Sequence, residues 1–260
     1  MIHSDCPQLL VGQRQLLLTI GFHRPEYKNA LTLAMYTAAA DALEQADDTD
    51  DVRVVLIYGT AGCFTSGNDL KDFRQASTIH ENHPVVRFMR ALQHCRKPVV
   101  ASVRGPAVGI GTTLLFHCDL VYAAQGAQLQ LPFVNLGLCP EYAASYLLPR
   151  WLGHAKAAEL LLLGEAFSAE QAAALGLINA VVSEEALDAL VDNQIARLAS
   201  QPPAALQRSK ALLKQSQQPG IDMAMTAEFA AFAECLQSPE HNEAVTAFFE
   251  KRAPDFSRCK

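Results

Sequence analysis

Glu141 closes the run Pro132-Phe133-Val134-Asn135-Leu136-Gly137-Leu138-Cys139-Pro140-Glu141, downstream of the glycine-rich turn Gly105-Pro106-Ala107-Val108-Gly109-Ile110-Gly111. A turn of that kind can offer main-chain N–H groups to a developing negative charge, and a carboxylate can take up and return a proton. The combination suits the movement of a proton next to a carbonyl group. Glu141 also has a plainer reading. Pro-Glu often opens a helix, where the carboxylate complements the positive end of the dipole.

These residues have to be held by regular elements. A strand is expected over Gln15–Phe22, and Thr32 is expected to cap a helix that runs through Leu43 and Ala46 into the acidic cluster Asp47–Asp51. The β-branched run Val52–Tyr58 reads as a buried strand, with Gly59 and Gly62 in the loop after it. Short helices are expected from Leu70–Phe73 and over Val85–Cys95. Pro98–Val103 then reads as a strand leading into the glycine turn, and Thr112–His117 as helical. Asp119–Ala123, Leu129–Leu131 and Ile178–Val182 read as strands, and Glu141–Trp151 as a helix. Strand, glycine-containing turn and helix recur without sequence identity, which predicts turns of an α/β spiral. From about Leu152 the pattern is mainly helical: Ser168-Ala169-Glu170-Gln171 is a capping box, Ser183 a cap, Pro202-Pro203 a helix start, and Ser238-Pro239-Glu240 begins the last helix.

The bulk numbers narrow the function classes. The chain has 260 residues, 50% of them hydrophobic, enough for a sizeable core. A net charge of −6 with the two signs interspersed argues against nucleic acid as partner. The seven cysteines are scattered with no C-x-x-C pair, which favours reduced thiols in a cytoplasmic protein over disulfides or a zinc site. No secretory leader, membrane-length apolar run or peroxisomal C-terminal address is read.

Three motifs are set aside. Gly62-Cys63-Phe64-Thr65-Ser66-Gly67 has phosphate-loop spacing, but Asn68-Asp69 follows where Lys and Ser/Thr are required. Gly109-Ile110-Gly111 lacks the third glycine of a dinucleotide fingerprint. His80-Glu81-Asn82-His83 has no third ligand and reads as solvated surface, so no metal is expected.

What remains resembles the crotonase (enoyl-CoA hydratase/isomerase) superfamily over nearly the whole chain. The resemblance is carried by Arg24-Pro25-Glu26-Tyr27-Lys28-Asn29-Ala30-Leu31, Cys63-Phe64-Thr65-Ser66-Gly67-Asn68-Asp69-Leu70 and Lys97-Pro98-Val99-Val100-Ala101-Ser102-Val103-Arg104-Gly105, then by Cys118-Asp119-Leu120-Val121 and Phe249-Glu250-Lys251-Arg252. Each piece alone is weak; five in order are specific. The resemblance implies a spiral of ββα turns over residues 1–199 and a C-terminal helical oligomerisation segment over 200–260, assembled as a homotrimer or dimer of trimers. It implies an acyl-CoA substrate whose thioester oxygen lies between the N–H groups of Asn68 and Ile110. Lys28, Ala30, Ser66, Gly67, Leu70 and Gly109 are the positions it places around the substrate, and Lys251 is the one it places near CoA phosphate. Asp69 is expected to hold the loop through hydrogen bonds.

Hydratases of this superfamily carry two glutamates, and the resemblance places Thr113 and Phe133 at those positions. Neither side chain can take a proton from water as a carboxylate does. The segment Pro132–Tyr146 instead resembles the Δ3,Δ2-enoyl-CoA isomerases, in which one glutamate at the position of Glu141 moves the proton. That resemblance implies conversion of a 3-enoyl-CoA into its 2-trans isomer, with no cofactor beyond the coenzyme A of the substrate. Other reactions of the superfamily and a non-catalytic binding role are the alternatives. Phe64, Phe73, Phe88, Phe133, Leu136 and Leu138 are candidates for the acyl pocket wall, and buried aromatics of this kind also serve as ordinary core.

Overall fold

The computed structural model describes residues 2–75 and 83–259, with the side chains of Phe73, Arg74, Gln75 and Arg258 outside the described part. The strands are β1 (Leu9–Arg14), β2 (Leu17–Phe22), β3 (Val54–Gly59), β4 (Val99–Val103), β5 (Pro106–Val108), β6 (Leu120–Ala124), β7 (Gln128–Gln130), β8 (Ala166–Ser168) and β9 (Ala180–Val182). They form a six-stranded sheet in the order β1-β2-β3-β4-β6-β9 and a three-stranded sheet in the order β5-β7-β8. All pairs of the larger sheet are parallel except the β1–β2 hairpin. A parallel sheet is covered on both faces, which is why β3 and β4 read as continuous apolar runs rather than alternating ones.

Two isolated parallel bridges, Leu31 with Asn68 and Thr65 with Ala107, extend the second layer beyond its three strands. Each turn of the chain therefore lays one strand in the large sheet and one extended segment in the second layer. This is the expected spiral of ββα turns, and the connections between the layers carry the motif residues.

Most expected elements appear within a residue or two. The helix Leu33–Asp47 is capped by Thr32, whose side chain accepts from Met35 N, and the Ser168 capping box is complete. The strand expected over Gln15–Phe22 begins at Leu17, because Gln15, at φ +49°, makes the turn of the β1–β2 hairpin. β1 was not expected: an edge strand containing Gly12, Gln13 and Arg14 shows no clean alternation. His80, Glu81 and Asn82 lie outside the described residues. His83, expected at a solvated surface, is buried at the start of the helix Pro84–His94.

Three long helices end the chain: Pro203–Gln215, Gln218–Leu236 and Pro239–Glu250. They expose Leu212, Leu213, Met223, Phe248 and Phe249. On their inner side they return to the run that carries Glu141. His241 Nδ1 donates to Leu136 O at 2.8 Å, and Glu228 binds the start of the helix Ala144–Leu152. No helix among the described residues is long and apolar enough to cross a membrane.

Candidate active site

The loop after β3 is fastened by the residues of the first motif. Asn29 donates through Nδ2 to Thr60 O and Cys63 O, and its own carbonyl accepts from Thr65 Oγ1 at 2.7 Å. Arg24 spans the same loop, reaching Ala30 O and, at 2.6 Å, Asp69 Oδ2. Asp69 also accepts from Lys71 N through Oδ1. Burial opposes its ionisation, but the Arg24 and Lys71 hydrogen bonds outweigh that and hold its carboxyl below the usual range. Asp69 is thus placed as an ionised anchor of the loop.

The anchored loop runs beside the glycine turn. Val108 N donates to Thr65 O, Thr65 N donates to Pro106 O, and Gly67 (φ +96°) is so close that a Cβ there would lie 3.0 Å from Val108 O. Gly109 (φ +57°) then turns the chain into the short helix Ile110–Thr113. Asn68 follows Gly67 and Ile110 follows Gly109, so the tight packing of the two loops brings these residues together. Among the described residues, neither the Asn68 nor the Ile110 N–H donates to a protein acceptor. Main-chain donors left without a protein acceptor on neighbouring loops are of the kind that can stabilise an oxyanion.

Glu141 is 4% exposed, and its Oε1 has no hydrogen-bond partner among the described residues. Burial pushes its carboxyl up to about 8, and the negative charge of Glu228 adds to the rise. The expected helix over Glu141–Trp151 begins only at Ala144, because Tyr142 and Ala143 both take the left-handed conformation at φ +58°. Glu141 is therefore outside the helix and does not meet its dipole. That place belongs to Glu228, whose carboxylate accepts from Ala143 N at 2.6 Å and from Ser145 N at 3.0 Å. No feature of the sequence around residue 228 marks this contact, which joins segments distant along the chain.

Tyr36 is a second residue that the sequence did not single out. It is buried on the helix Leu33–Asp47 against the Phe88 ring, and its hydroxyl donates to Asn68 Oδ1. Burial, and after it the Glu141 carboxylate, push its phenol well above the ordinary value. Tyr36 thus joins the Asn68 loop and feels the charge of Glu141. Its spacing in an amphipathic helix, Met35-Tyr36 with Ala39-Ala40 and Leu43, gives it the look of ordinary core.

The remaining expected residues fall into two groups. Ser66, Ala30 and Leu70 belong to the anchored loops: Ser66 N donates to Lys28 O, Ala30 N to Tyr27 O, and Leu70 opens the helix Leu70–Gln75. Phe133 and Leu138 are buried, Leu136 partly so, around a short helical turn in the run leading to Glu141. Thr113 is buried, with its hydroxyl on Ile110 O. Phe64 and Phe88 are core residues, packed on Phe22 and Tyr36 respectively, and the side chain of Phe73 lies outside the described residues. Lys28 is exposed. Lys251 is exposed in a left-handed C-cap of the helix Pro239–Glu250, and no hydrogen bond or ion pair among the described residues joins it to Glu141 or to the loops of Asn68 and Ile110. A cavity of about 960 Å³ lined by Gln237, Pro239, Asn242 and Arg252 includes none of the expected site residues.

Residues 12–259 match the model described as enoyl-CoA hydratase/isomerase. The chain is 31% identical over 252 residues to 2,3-dehydroadipyl-CoA hydratase of Escherichia coli, covering 96% of this chain and 98% of that protein. It is 34% identical to enoyl-CoA delta isomerase 2 of Rattus norvegicus, over 94% of this chain but only 64% of the rat protein's length. The solved structure of Pseudomonas aeruginosa OdaA superposes with a TM-score of 0.91 at 48% identity, covering 93% of this chain and 98% of that one. A match across the spiral and its C-terminal helices, joined to the paired glycine loops, places this chain in the enoyl-CoA hydratase/isomerase family, the crotonase superfamily.

Proposed function

We propose that the protein is an acyl-CoA double-bond isomerase that converts a 3-enoyl-CoA into the 2-trans-enoyl-CoA, with Glu141 as its single base. The observation that carries this reading is the Glu141 carboxylate: it is buried, Oε1 is unpartnered, and its proton affinity is raised into the range of a working base. In this reading the thioester oxygen accepts from the N–H groups of Asn68 and Ile110. Glu141 removes a proton from C2, the electron pair moves into a dienolate whose charge rests on that oxygen, and the same carboxyl returns the proton to C4. One base is enough because C2 and C4 lie on the same side of a flat dienolate. The reaction is a proton transfer and calls on no redox partner.

Thr113 and Phe133 support isomerisation over hydration, since neither can activate water as a carboxylate does. Phe133, Leu136 and Leu138 supply apolar surface beside Glu141 for the acyl chain. Lys251 suits a wet-edge contact with CoA phosphate, and the exposed Leu212, Leu213, Phe248 and Phe249 suit self-association as a trimer or a dimer of trimers.

Absorbance of the conjugated thioester separates the reactions. A gain on mixing with a 3-enoyl-CoA is the expected result. A loss with a 2-enoyl-CoA would mean a hydratase, and no change with either would point to another member reaction, such as that named for the 1,2-epoxyphenylacetyl-CoA isomerase of Escherichia coli, a relative 34% identical.

Tyr36→Phe tests the link to the oxyanion loop. Losing the hydroxyl removes one hydrogen bond to Asn68, worth about 1 kcal/mol, so kcat/KM is expected to fall roughly five-fold. Steady-state kinetics would detect this, and an unchanged kcat/KM would release Tyr36 from any role in aiming Asn68.

A further inference from the structure

We propose that Glu228 is a positioning residue for Glu141: its carboxylate holds the Tyr142–Ala143 turn that aims Glu141, and it sets a like charge behind that carboxyl. The proposal rests on the reading of Glu141 as the base and adds a residue that the sequence motifs do not contain.

The turn needs external support. Two consecutive non-glycine residues in the left-handed region are each costly, and they persist only where their surroundings hold them. Here the support is specific. Glu228 is buried on the helix Gln218–Leu236, and one of its oxygens accepts from Ala143 N. The other accepts from both Ser145 N and Ser145 Oγ. These bonds begin two residues after Glu141 and fix where its backbone leaves the turn. Tyr142 is clamped independently: its hydroxyl donates to Met89 O, its carbonyl lies 2.9 Å from His117 Nε2, and its ring stacks on His117 at 3.7 Å. Burial keeps that histidine neutral, down to about 3. The titratable groups that interact with Glu141 are then Glu228, Tyr36 and Tyr142, and the two phenols are held protonated by burial. Glu228 is thus the one carboxyl among them. Burial raises its carboxyl above the ordinary value, and its hydrogen bonds from Ser145 and Ala143 act against that rise and favour the ionised form. A negative charge at this point makes it harder for Glu141 to ionise and so makes Glu141 a stronger base.

The test is a difference infrared titration, in which the carbonyl band of the protonated Glu141 side chain is identified by its loss in E141Q. The midpoint of that band is expected near 8 in the native protein and at least about one pH unit lower in E228Q. On a 3-enoyl-CoA at pH 9, where Glu141 is ionised in both proteins, kcat of E228Q is expected to fall roughly ten-fold, with KM within about two-fold of native. A midpoint that stays in place, or a kcat within two-fold of native, overturns the proposal. Should E228Q not fold, E228D carries the test. It keeps the charge but falls short of the turn, so the midpoint should stay near native while kcat falls and amide exchange at Ala143 and Ser145 quickens. An E228D protein with native kcat and exchange overturns the proposal equally. If the native protein does not isomerise a 3-enoyl-CoA, the functional reading fails, and the midpoint in E228Q, or amide exchange in E228D, alone decides the place of Glu228.

Discussion

Glu141→Gln is expected to lower kcat by at least about 10²-fold while acyl-CoA binding survives. The amide keeps the size of the side chain and cannot accept the C2 proton. The donors on Asn68 and Ile110 are main-chain groups and are left in place. In deuterated buffer the native protein should exchange the C2 or C4 hydrogens and the variant should not. The native pH profile has a definite sign. With its carboxyl near 8, Glu141 is mostly protonated below that pH, so kcat/KM should rise about ten-fold per unit up to roughly pH 8 and then level off.

The same substitution should stabilise the protein at alkaline pH. An ordinary glutamate titrates at 4.5, so between there and about 8 the folded protein holds a proton on Glu141 that the unfolded chain has released. Stability therefore falls as pH rises through this window, by at most about 1.4 kcal/mol per unit for one group. Glu141→Gln removes that term, and its unfolding midpoint in urea should exceed the native value most clearly at pH 8 and above. A variant with near-native isomerisation, or with no stability gain, would show that the buried carboxyl is not the strained base described.

Gly67→Ala is expected to reduce kcat/KM by about 10²-fold, the scale of losing one oxyanion donor. Two penalties coincide there. An alanine at φ +96° is strained, and its Cβ would press on Val108 O at 3.0 Å. That contact separates the segment carrying Asn68 N from the segment carrying Ile110 N. Opening it by a few tenths of an ångström moves both donors relative to each other. Gly126→Ala provides the control, since Gly126 also has positive φ (+82°) but no neighbour within 4 Å of a Cβ. Both variants should lose some thermal stability, and Gly67→Ala alone should lose kcat. Equal kinetics in the two would remove the loop contact from the mechanism.

How far the sequence foretold this molecule depended on the range of the interactions. Short-range signals were readable. Thr32 and Ser168 cap where their side chains can reach N–H groups three residues on, and the apolar runs of β3 and β4 match strands covered on both faces. The glycine loops were readable too, since positive φ and close approach leave glycine as the residue that fits. The start of the helix after Glu141 was not. Pro140-Glu141 has the local chemistry of a helix N-terminus, but Glu228 and the clamp on Tyr142 hold the backbone left-handed for two residues first. Tyr36 was missed for a related reason: a tyrosine on the buried face of a helix looks the same whether its hydroxyl meets solvent, backbone or Asn68. Whatever joined segments far apart in the chain was invisible to spacing.

The hydrogen bonds from Ala143 and Ser145 to Glu228 span 85 and 83 residues of chain. A contact of that range forms late, because a long loop must close before it returns any stabilisation. Synthesis adds a further delay: the spiral strands leave the ribosome well before the helix Gln218–Leu236 exists. Until that helix docks, Tyr142 and Ala143 have no carboxylate to hold them left-handed, and the carboxyl of Glu141 is free to stay hydrated and weakly basic. The chain can thus complete its sheets and its glycine loops before the proposed base is set, and the docking of its final quarter would complete it.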